Sequence, residues 1–167
     1  MRKLRWPSIL LLTAPLAGAS AAYQPPEGGV ELRLENFTKE KQVLANYWTG
    51  AENCSRPEAI GDLGHNLVTT VAADRLVTIS LSGRRADVSD PEACAVFFSF
   101  RPQSGYSYRA SLQLYDGRCR LGFNKVELAT NAASSAGRVL REYKVPILPT
   151  QGICAKLDAE QRARLGL

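Results

Sequence analysis

The chain has 167 residues, of which 45% are hydrophobic, a composition typical of a globular domain. Its 21 basic residues exceed its 16 acidic ones, but Arg2, Lys3 and Arg5 lie at the very start, so the rest of the chain is nearly balanced. A nucleic-acid-binding domain needs a clustered basic face. We therefore expect no nucleic-acid partner.

The first 22 residues have the order of a secretory signal peptide. Basic residues come first, then an apolar run, then small residues that allow cleavage after Ala21 or Ala22, of which we favour Ala22. A membrane anchor is the alternative, but the apolar run has about a dozen residues and a bilayer needs roughly 20. We therefore predict a signal peptide over 1–22, one domain over 23–167 without a transmembrane segment, and a periplasmic or secreted location.

The chain contains four cysteines, Cys54, Cys94, Cys119 and Cys154. An even number of cysteines in an exported chain indicates disulfides. Zinc binding is the alternative, but there is no Cys-x-x-Cys pair and the spacings match no zinc-binding pattern. A reactive thiol would need a basic partner, and His65 is the only histidine. We predict two disulfides and no metal or other cofactor.

The first half of the predicted domain contains several short strands. Residues 30–37, VELRLENF, alternate between apolar and polar side chains, which predicts a half-buried strand. Residues 43–47 suggest a second strand, and 49–64 a long loop. Residues 67–83 give one or two further strands, of which 76–81 is the clearer.

The clearest pattern follows, where two alternating segments flank the turn-like sequence RPQSG. Proline and glycine lie in it where a hairpin turn uses them. Pairing Phe100 with Tyr106 places the apolar residues of both segments on one face and puts Arg109 opposite Phe97 on the other. We predict a hairpin with this register, because a slip of one residue would destroy the agreement.

A third alternating segment begins near Cys119. If it paired beside the middle strand, Cys119 would lie roughly 9 to 10 Å from Cys94, whereas a disulfide tolerates Cα separations of about 7 Å at most. We therefore favour a third segment that crosses to an opposing sheet, with Cys94 bonded to Cys119 through the core and Cys54 bonded to Cys154. The sequence itself permits all three pairings.

The last part of the chain combines a small-residue loop over 129–137, a strand over 138–148 and a short helix over 157–167. Asp158 can cap this helix and Gly166 can end it. Many short strands separated by turn signals indicate an all-β fold. We predict a two-layer antiparallel β-sandwich, immunoglobulin-like or similar, with two disulfides and a short C-terminal helix.

Few residues suggest catalysis. His65 lies in the turn-like stretch GDLGHN, where we expect an exposed loop residue rather than a base, because no hydrolase motif surrounds it. Asp87, Asp90 and Glu92 offer carboxylates for glycoside hydrolysis or calcium binding. Their spacing fits no calcium-loop motif and indicates a solvated turn. We predict neither a catalytic residue nor a metal site.

The outward face of the predicted hairpin is the candidate binding surface. Guanidinium groups offer forked donors and stack on aromatic rings, so an arginine-rich face suits an anionic envelope glycan, a lipid phosphate or an acidic protein. A merely solvated strand face is the alternative. The surface includes the residues of the third segment only if that segment does not cross. Its candidate residues are Arg101, Arg109, Arg118, Arg120, Phe97 and Tyr115.

The order C…VFFSFRP..GYSYRA…C.LGF places two cysteines around an aromatic F.P..G..Y hairpin. It resembles small exported bacterial β-sandwich proteins, many of them uncharacterised, over residues 68–128, and the resemblance carries no catalytic residue. We therefore expect a non-enzymatic exported domain that binds a protein or an envelope component. One alternative is an inhibitor of a secreted enzyme that presents the loop from Gly50 to Gly64. Another is a small hydrolase or accessory subunit that uses the acidic loop.

Overall fold

The computed structural model describes residues 21–38, 42–83, 94–115, 118–144 and 152–167. Most of the predicted signal peptide lies outside these described residues. The same holds for the acidic stretch with Asp87, Asp90 and Glu92, and for the end of the predicted last strand.

The described ranges contain short strands and one helix. In chain order they are β1 (Ala21–Ala22), β2 (Val30–Phe37), β3 (Val43–Gly50), β4 (Ser55–Asp62), β5 (Asn66–Val71), β6 (Val77–Gly83), β7 (Ala95–Phe100), β8 (Tyr106–Tyr115), β9 (Arg118–Glu127), β10 (Ala133–Ser135), β11 (Val139–Arg141) and α1 (Ala159–Arg164).

The strands form two sheets that face each other. The six-stranded sheet has the order β1-β4-β3-β6-β7-β11, and the five-stranded sheet has the order β10-β9-β8-β2-β5. Neighbouring strands are antiparallel except for two parallel pairs, β1 with β4 and β2 with β8. The predicted two-layer β-sandwich with two disulfides and a short C-terminal helix is thus confirmed.

An aromatic cluster joins the two sheets in the core. Phe98 and Phe100 of β7 contact Phe123 of β9, with ring centroids 5.4 and 4.8 Å apart. Phe100 also meets Tyr108 of β8 at 5.3 Å. Each such pair contributes about 0.5 to 1.5 kcal/mol beyond its buried area. The alternation of the strands therefore produces one shared interior between the layers.

The predicted hairpin is wrong. Strand β7 pairs with β6 and β11, whereas β8 pairs with β9 and β2, so Tyr106 lies opposite Glu127 and not opposite Phe100. Residues 101–105 carry the chain from one sheet to the other. Two strands that face each other across a core show the same in-and-out alternation as two neighbours in one sheet, so the pattern alone does not distinguish them.

Both predicted disulfides are confirmed. Cys94 is bonded to Cys119 with a Cα separation of 5.5 Å, and Cys54 to Cys154 with one of 5.3 Å. Cys94 directly precedes β7 in one layer, and Cys119 lies on β9 in the other, so this bridge links the two sheets. The distance argument correctly required a change of sheet, but the change occurs between β7 and β8 rather than after β8.

Two other predictions need correction. Most of the predicted loop over 49–64 is the strand β4, whose alternation is broken because Arg56 and Gly61 have positive φ angles. The predicted small-residue loop contains the short strand β10, whose three residues are all exposed and therefore leave no apolar signal. In both cases a strand near or at the edge of its sheet lacks the buried side that the sequence pattern relies on.

The C-terminal helix begins and ends as predicted. Asp158 accepts a hydrogen bond of 2.8 Å from the backbone N–H of Gln161, and the Gln161 side chain accepts one of 3.2 Å from the backbone N–H of Asp158. This reciprocal pair is a capping box. Gly166 follows the helix with φ of +67°, a conformation that glycine adopts without strain.

The outer face of the six-stranded sheet is covered by the C-terminal segment, residues 152–167. Trp48 packs with the Cys54–Cys154 bridge in one small apolar cluster. Val139 of β11 packs with Leu157 and with Leu165, which follows α1, in another. The C-terminal segment thus forms a partial third layer on this side of the sandwich.

A buried arginine fastens this cover. Arg141 is only 7% exposed, and its guanidinium donates to Ser99 Oγ at 3.1 Å, to the Glu52 carbonyl at 2.6 Å and to the Ala155 carbonyl. Burial lowers the pKa of Arg141, and Glu52 partly offsets this effect. Arg141 therefore links the six-stranded sheet to the turn at Glu52 and to the C-terminal segment at Ala155.

Tyr23 anchors the beginning of the sandwich. Its ring lies 4.6 Å from that of Tyr47, its hydroxyl donates to the Thr70 carbonyl at 2.9 Å, and its backbone N–H donates to the Ala59 carbonyl at 2.9 Å. Burial raises the pKa of Tyr23 to about 12, with Tyr47 and Glu58 adding to the effect. The phenol is therefore protonated at neutral pH and remains a hydrogen-bond donor.

Candidate functional site

The outer face of the five-stranded sheet gathers arginines from two neighbouring strands. Tyr108, Ala110 and Leu112 of β8 point into the core, so Arg109 points outward. On β9, Leu121 and Phe123 are buried, so the alternate positions Arg118 and Arg120 are exposed. The structure therefore places Arg109, Arg118 and Arg120 on one face, as the sequence predicts for strands that pair alongside. Tyr115 ends β8 at the position paired with Arg118.

A fourth arginine comes from β2. The parallel pairing of β2 with β8 sets Arg33 directly beside Arg109. The alternation of residues 30–37 places Arg33 on the polar side of its strand, but it does not show which strand lies next to it. Sequence analysis missed Arg33 for that reason. We call the surface formed by Arg33, Arg109, Arg118, Arg120, Glu31 and Glu35 the cationic face.

Acidic side chains neutralise only part of the positive charge on this surface. Arg109 Nε lies 3.3 Å from Glu35 Oε1, and the Arg109 side chain is 52% exposed whereas that of Glu35 is 15% exposed. The Arg109 side chain therefore remains accessible to solvent in spite of the ion pair. Four arginines against Glu31 and Glu35 leave this described surface with a net positive charge.

The arginines are spread over an extended strip. Arg33 and Arg109 are on adjacent strands, about 4.8 Å apart between backbones. Arg120 pairs with Gln113, four residues along β8 from Arg109, and Arg118 lies two residues further. At roughly 3.3 Å per residue, the strip is about 20 Å long. Its width of three strands is about 10 Å.

Two apolar side chains are exposed on the same side of the sheet. Phe37 at the end of β2 is 64% exposed and pairs with Gln113 of β8. Val68 of β5 is 50% exposed and pairs with Arg33 of β2. The cationic face therefore combines arginines with an exposed aromatic ring, and both residue types are enriched at protein–protein interfaces.

Phe97 and Arg101 do not belong to this face, contrary to prediction. Phe97 lies on the other sheet, with its ring 5.8 Å from Trp48 and 6.5 Å from Tyr143. It cannot stand opposite Arg109, because β7 and β8 are in different layers. Arg101 donates to the Asp74 carbonyl at 3.3 Å and to the Gly166 carbonyl, so it fastens the end of the C-terminal helix. Both errors follow from the wrong hairpin.

The described residues offer little for catalysis. His65 is exposed in the connection between β4 and β5, as predicted, and its carbonyl accepts from the Asn36 N–H at 2.9 Å. No group of three His, Cys, Asp or Glu side chains within the described ranges is placed to hold a metal ion. No helix in those same ranges is long and apolar enough to cross a membrane.

The stretch named in the inhibitor alternative is largely a strand rather than a loop. That alternative needs a protruding loop between Gly50 and Gly64, but most of this stretch is β4, hydrogen-bonded to β3. Cys54 at its start is fully buried in its bridge to Cys154.

No protein-family model matches the chain, and no curated protein or solved structure matches it either. The structural class of this protein is therefore described from its fold and its cationic face alone. This is a disulfide-linked two-layer β-sandwich with one outer face covered by its own C-terminal segment and the other face exposed and cationic.

Proposed function

We propose that this protein is a non-enzymatic, exported binding domain that uses the cationic face to bind an acidic protein. The observation that carries the proposal is the alignment of Arg33, Arg109, Arg118 and Arg120 on one exposed sheet face beside Phe37. Forked guanidinium donors pair well with carboxylates. The other outer face is occupied by the C-terminal segment, which leaves the cationic face as the open side of the sandwich.

A protein partner fits this face better than an anionic polymer does. Glu31 and Glu35 lie among the arginines and would repel a chain that carries only negative charge, whereas a protein surface can place a cation opposite them. Phe37 and Val68 add apolar area that a glycan or phosphate would leave unused. A second copy of this chain fits less well, because two faces of net positive charge repel each other.

Export is supported by two further observations. Disulfides persist mainly outside the reducing cytosol, and this chain forms two of them with no free cysteine among the described residues. The signal-peptide pattern of residues 1–22 ends directly before Tyr23, the first residue whose side chain anchors the sandwich. The resemblance to small exported bacterial β-sandwich proteins agrees with a periplasmic or secreted location.

We expect the exported protein to begin at Tyr23. Cleavage after Ala22 leaves small residues at both positions that the signal peptidase reads. It removes the two-residue edge strand β1 but keeps the side-chain contacts of Tyr23. The intact mass of protein recovered from the periplasm or culture medium of a bacterial host checks this. An Ala22→Leu variant moves the cut one residue earlier, to the second allowed point. A full-length mass in the cytoplasmic fraction would contradict export.

We expect neutralisation of the cationic face to remove partner binding. The mature oxidised protein, immobilised, is used to capture partners from envelope extract, and affinity is then measured for the captured protein. Arg109→Gln with Arg120→Gln is expected to weaken binding at least tenfold, because it removes two charge-assisted contacts. Lys156→Glu, an exposed change on the covering C-terminal segment, serves as the matched control and should leave affinity unchanged.

Three results would overturn this proposal. The first is equal affinity of the double arginine variant and the parent for the captured protein. The second is capture of dextran sulfate or polyglutamate in preference to any protein, which would indicate an anionic polymer. The third is self-association of the parent that the double variant abolishes, which would identify a second copy of this chain as the partner.

A further inference from the structure

A pocket of about 340 Å³ lies where the crossover between the sheets meets the C-terminal helix. This volume falls within the range of small-ligand sites, roughly 300 to 1,000 Å³. The pocket is separate from the cationic face, because its residues come from the end of the sandwich and from α1. The lining residues used below are Arg101, Gln103, Tyr108, Lys125, Arg164 and Leu165.

Three cations from three different elements line this pocket, and no acidic side chain does. Arg101 comes from the crossover, Lys125 from β9 and Arg164 from α1. Arg164 is paired with Glu160 one helical turn earlier. Within the part of the chain that the structure describes, Arg101 and Lys125 have no carboxylate at ion-pair distance. The pocket therefore has an excess of positive charge.

The cations are held in position by neutral groups. Arg101 uses two of its donors on the Asp74 and Gly166 carbonyls, and a guanidinium has five. Lys125 Nζ makes a long hydrogen bond of 3.3 Å to Gln103 Oε1 and lies 4.3 Å from the centroid of the Tyr106 ring. These contacts orient the charges without neutralising them, so donors remain for a bound anion.

Tyr108 adds a neutral donor. Its hydroxyl oxygen accepts a hydrogen bond of 3.0 Å from the Gln103 backbone N–H, which leaves the hydroxyl proton available for donation. Burial raises the pKa of Tyr108, so the phenol stays protonated at neutral pH. Leu165 is buried beside the pocket and gives its wall an apolar part.

We propose that this pocket binds a small organic anion through a carboxylate or phosphate group. The anion lies between Lys125 and Arg164 and accepts from the Tyr108 hydroxyl, while its carbon part contacts Leu165. Charge-assisted hydrogen bonds of this kind are about twice as strong as neutral ones. The proposal concerns a second site and holds whether or not the cationic face binds a protein.

The test titrates the mature oxidised protein with two probes, inorganic phosphate and citrate, at constant ionic strength set with sodium chloride. We expect saturable shifts of the backbone amide signals of Gly137 and Gly166, which line the pocket. Tighter binding of phosphate indicates a phosphoryl ligand, and tighter binding of citrate indicates a carboxylate ligand. Absence of a saturable shift with both probes at millimolar concentration overturns the proposal.

Variants locate the site. Lys125→Gln and Arg164→Gln are each expected to weaken binding of the better probe about tenfold or more, because each removes one charged donor. Arg162→Gln is the matched control, since Arg162 lies on the same helix but pairs with Glu52 outside the pocket. Its affinity should equal that of the parent. Equal weakening by all three substitutions would show a general charge effect and would overturn the proposal.

Discussion

Replacement of both Cys54 and Cys154 by alanine is expected to lower the free energy of unfolding by about 4.7 kcal/mol. The bridge closes a loop of 100 residues, and a disulfide stabilises chiefly by restricting the unfolded chain, more so for longer loops. It also holds the C-terminal segment over Trp48, so its loss loosens one apolar cluster. Urea unfolding of the mature oxidised protein and of the variant measures the difference.

Replacement of Cys94 and Cys119 by alanine provides the comparison. This bridge encloses 25 residues and is expected to contribute about 3.5 kcal/mol, roughly 1 kcal/mol less than the longer loop. Trp48 is the only tryptophan in residues 23–167, so its fluorescence reports on the covered face. We expect a red shift of the native emission without the Cys54–Cys154 bridge and none without the other. Identical spectra for both variants would contradict a pinned C-terminal segment.

Arg141→Met is expected to cost about 3 kcal/mol or more. The substitution leaves the partly buried Glu52 and Ala155 carbonyls without their guanidinium donor, whereas Ser99 Oγ keeps its hydrogen bond of 2.7 Å with Thr78 Oγ1. A polar group left unsatisfied in the interior costs about 1 to 3 kcal/mol. Urea unfolding with the slope held common to parent and variant gives the value. The methionine fills much of the same volume, so the loss reports on hydrogen bonds rather than on a cavity.

Two further substitutions test this assignment. Arg141→Lys keeps the charge but replaces a planar fork with a single ammonium, so we expect it to recover only part of the lost stability. Arg162→Gln serves as the control, because it removes an exposed arginine that pairs with Glu52. Exposed ion pairs contribute about 0 to 1 kcal/mol, so we expect a correspondingly small loss of stability. A loss below 1 kcal/mol for Arg141→Met would show that water replaces the guanidinium at these carbonyls.

The sequence predicts the individual strands better than their partners. Residues 30–37 alternate strictly and form β2 with those bounds, because one side of this strand faces the core. The sequence does not predict β4, because residues with positive φ angles interrupt its alternation of buried and exposed side chains. The capped helix after Asp158 is predicted from local chemistry alone, since a capping box involves residues close in sequence.

Pairing across layers is what the sequence does not determine. Phe100 and Tyr108 contact each other across the core, from different sheets, whereas the hairpin hypothesis places their two strands side by side in one sheet. The distance limit of a disulfide requires a change of sheet between Cys94 and Cys119, but it does not show at which turn the change occurs. Arg33 joins the cationic face through a parallel pairing between distant segments, for which no short-range signal exists.

The parallel pair of β2 and β8 bears on when the chain is able to fold. Leu32 pairs with Tyr108, nearly half the chain away, and β8 lies between β2 and β9 in its sheet. An all-β topology with such distant contacts acquires its native structure slowly. In the export that we propose, amino-first passage through a translocation channel leaves the early strands without their central neighbour until β8 has emerged. This topology then delays compaction of the early strands until most of the chain has crossed.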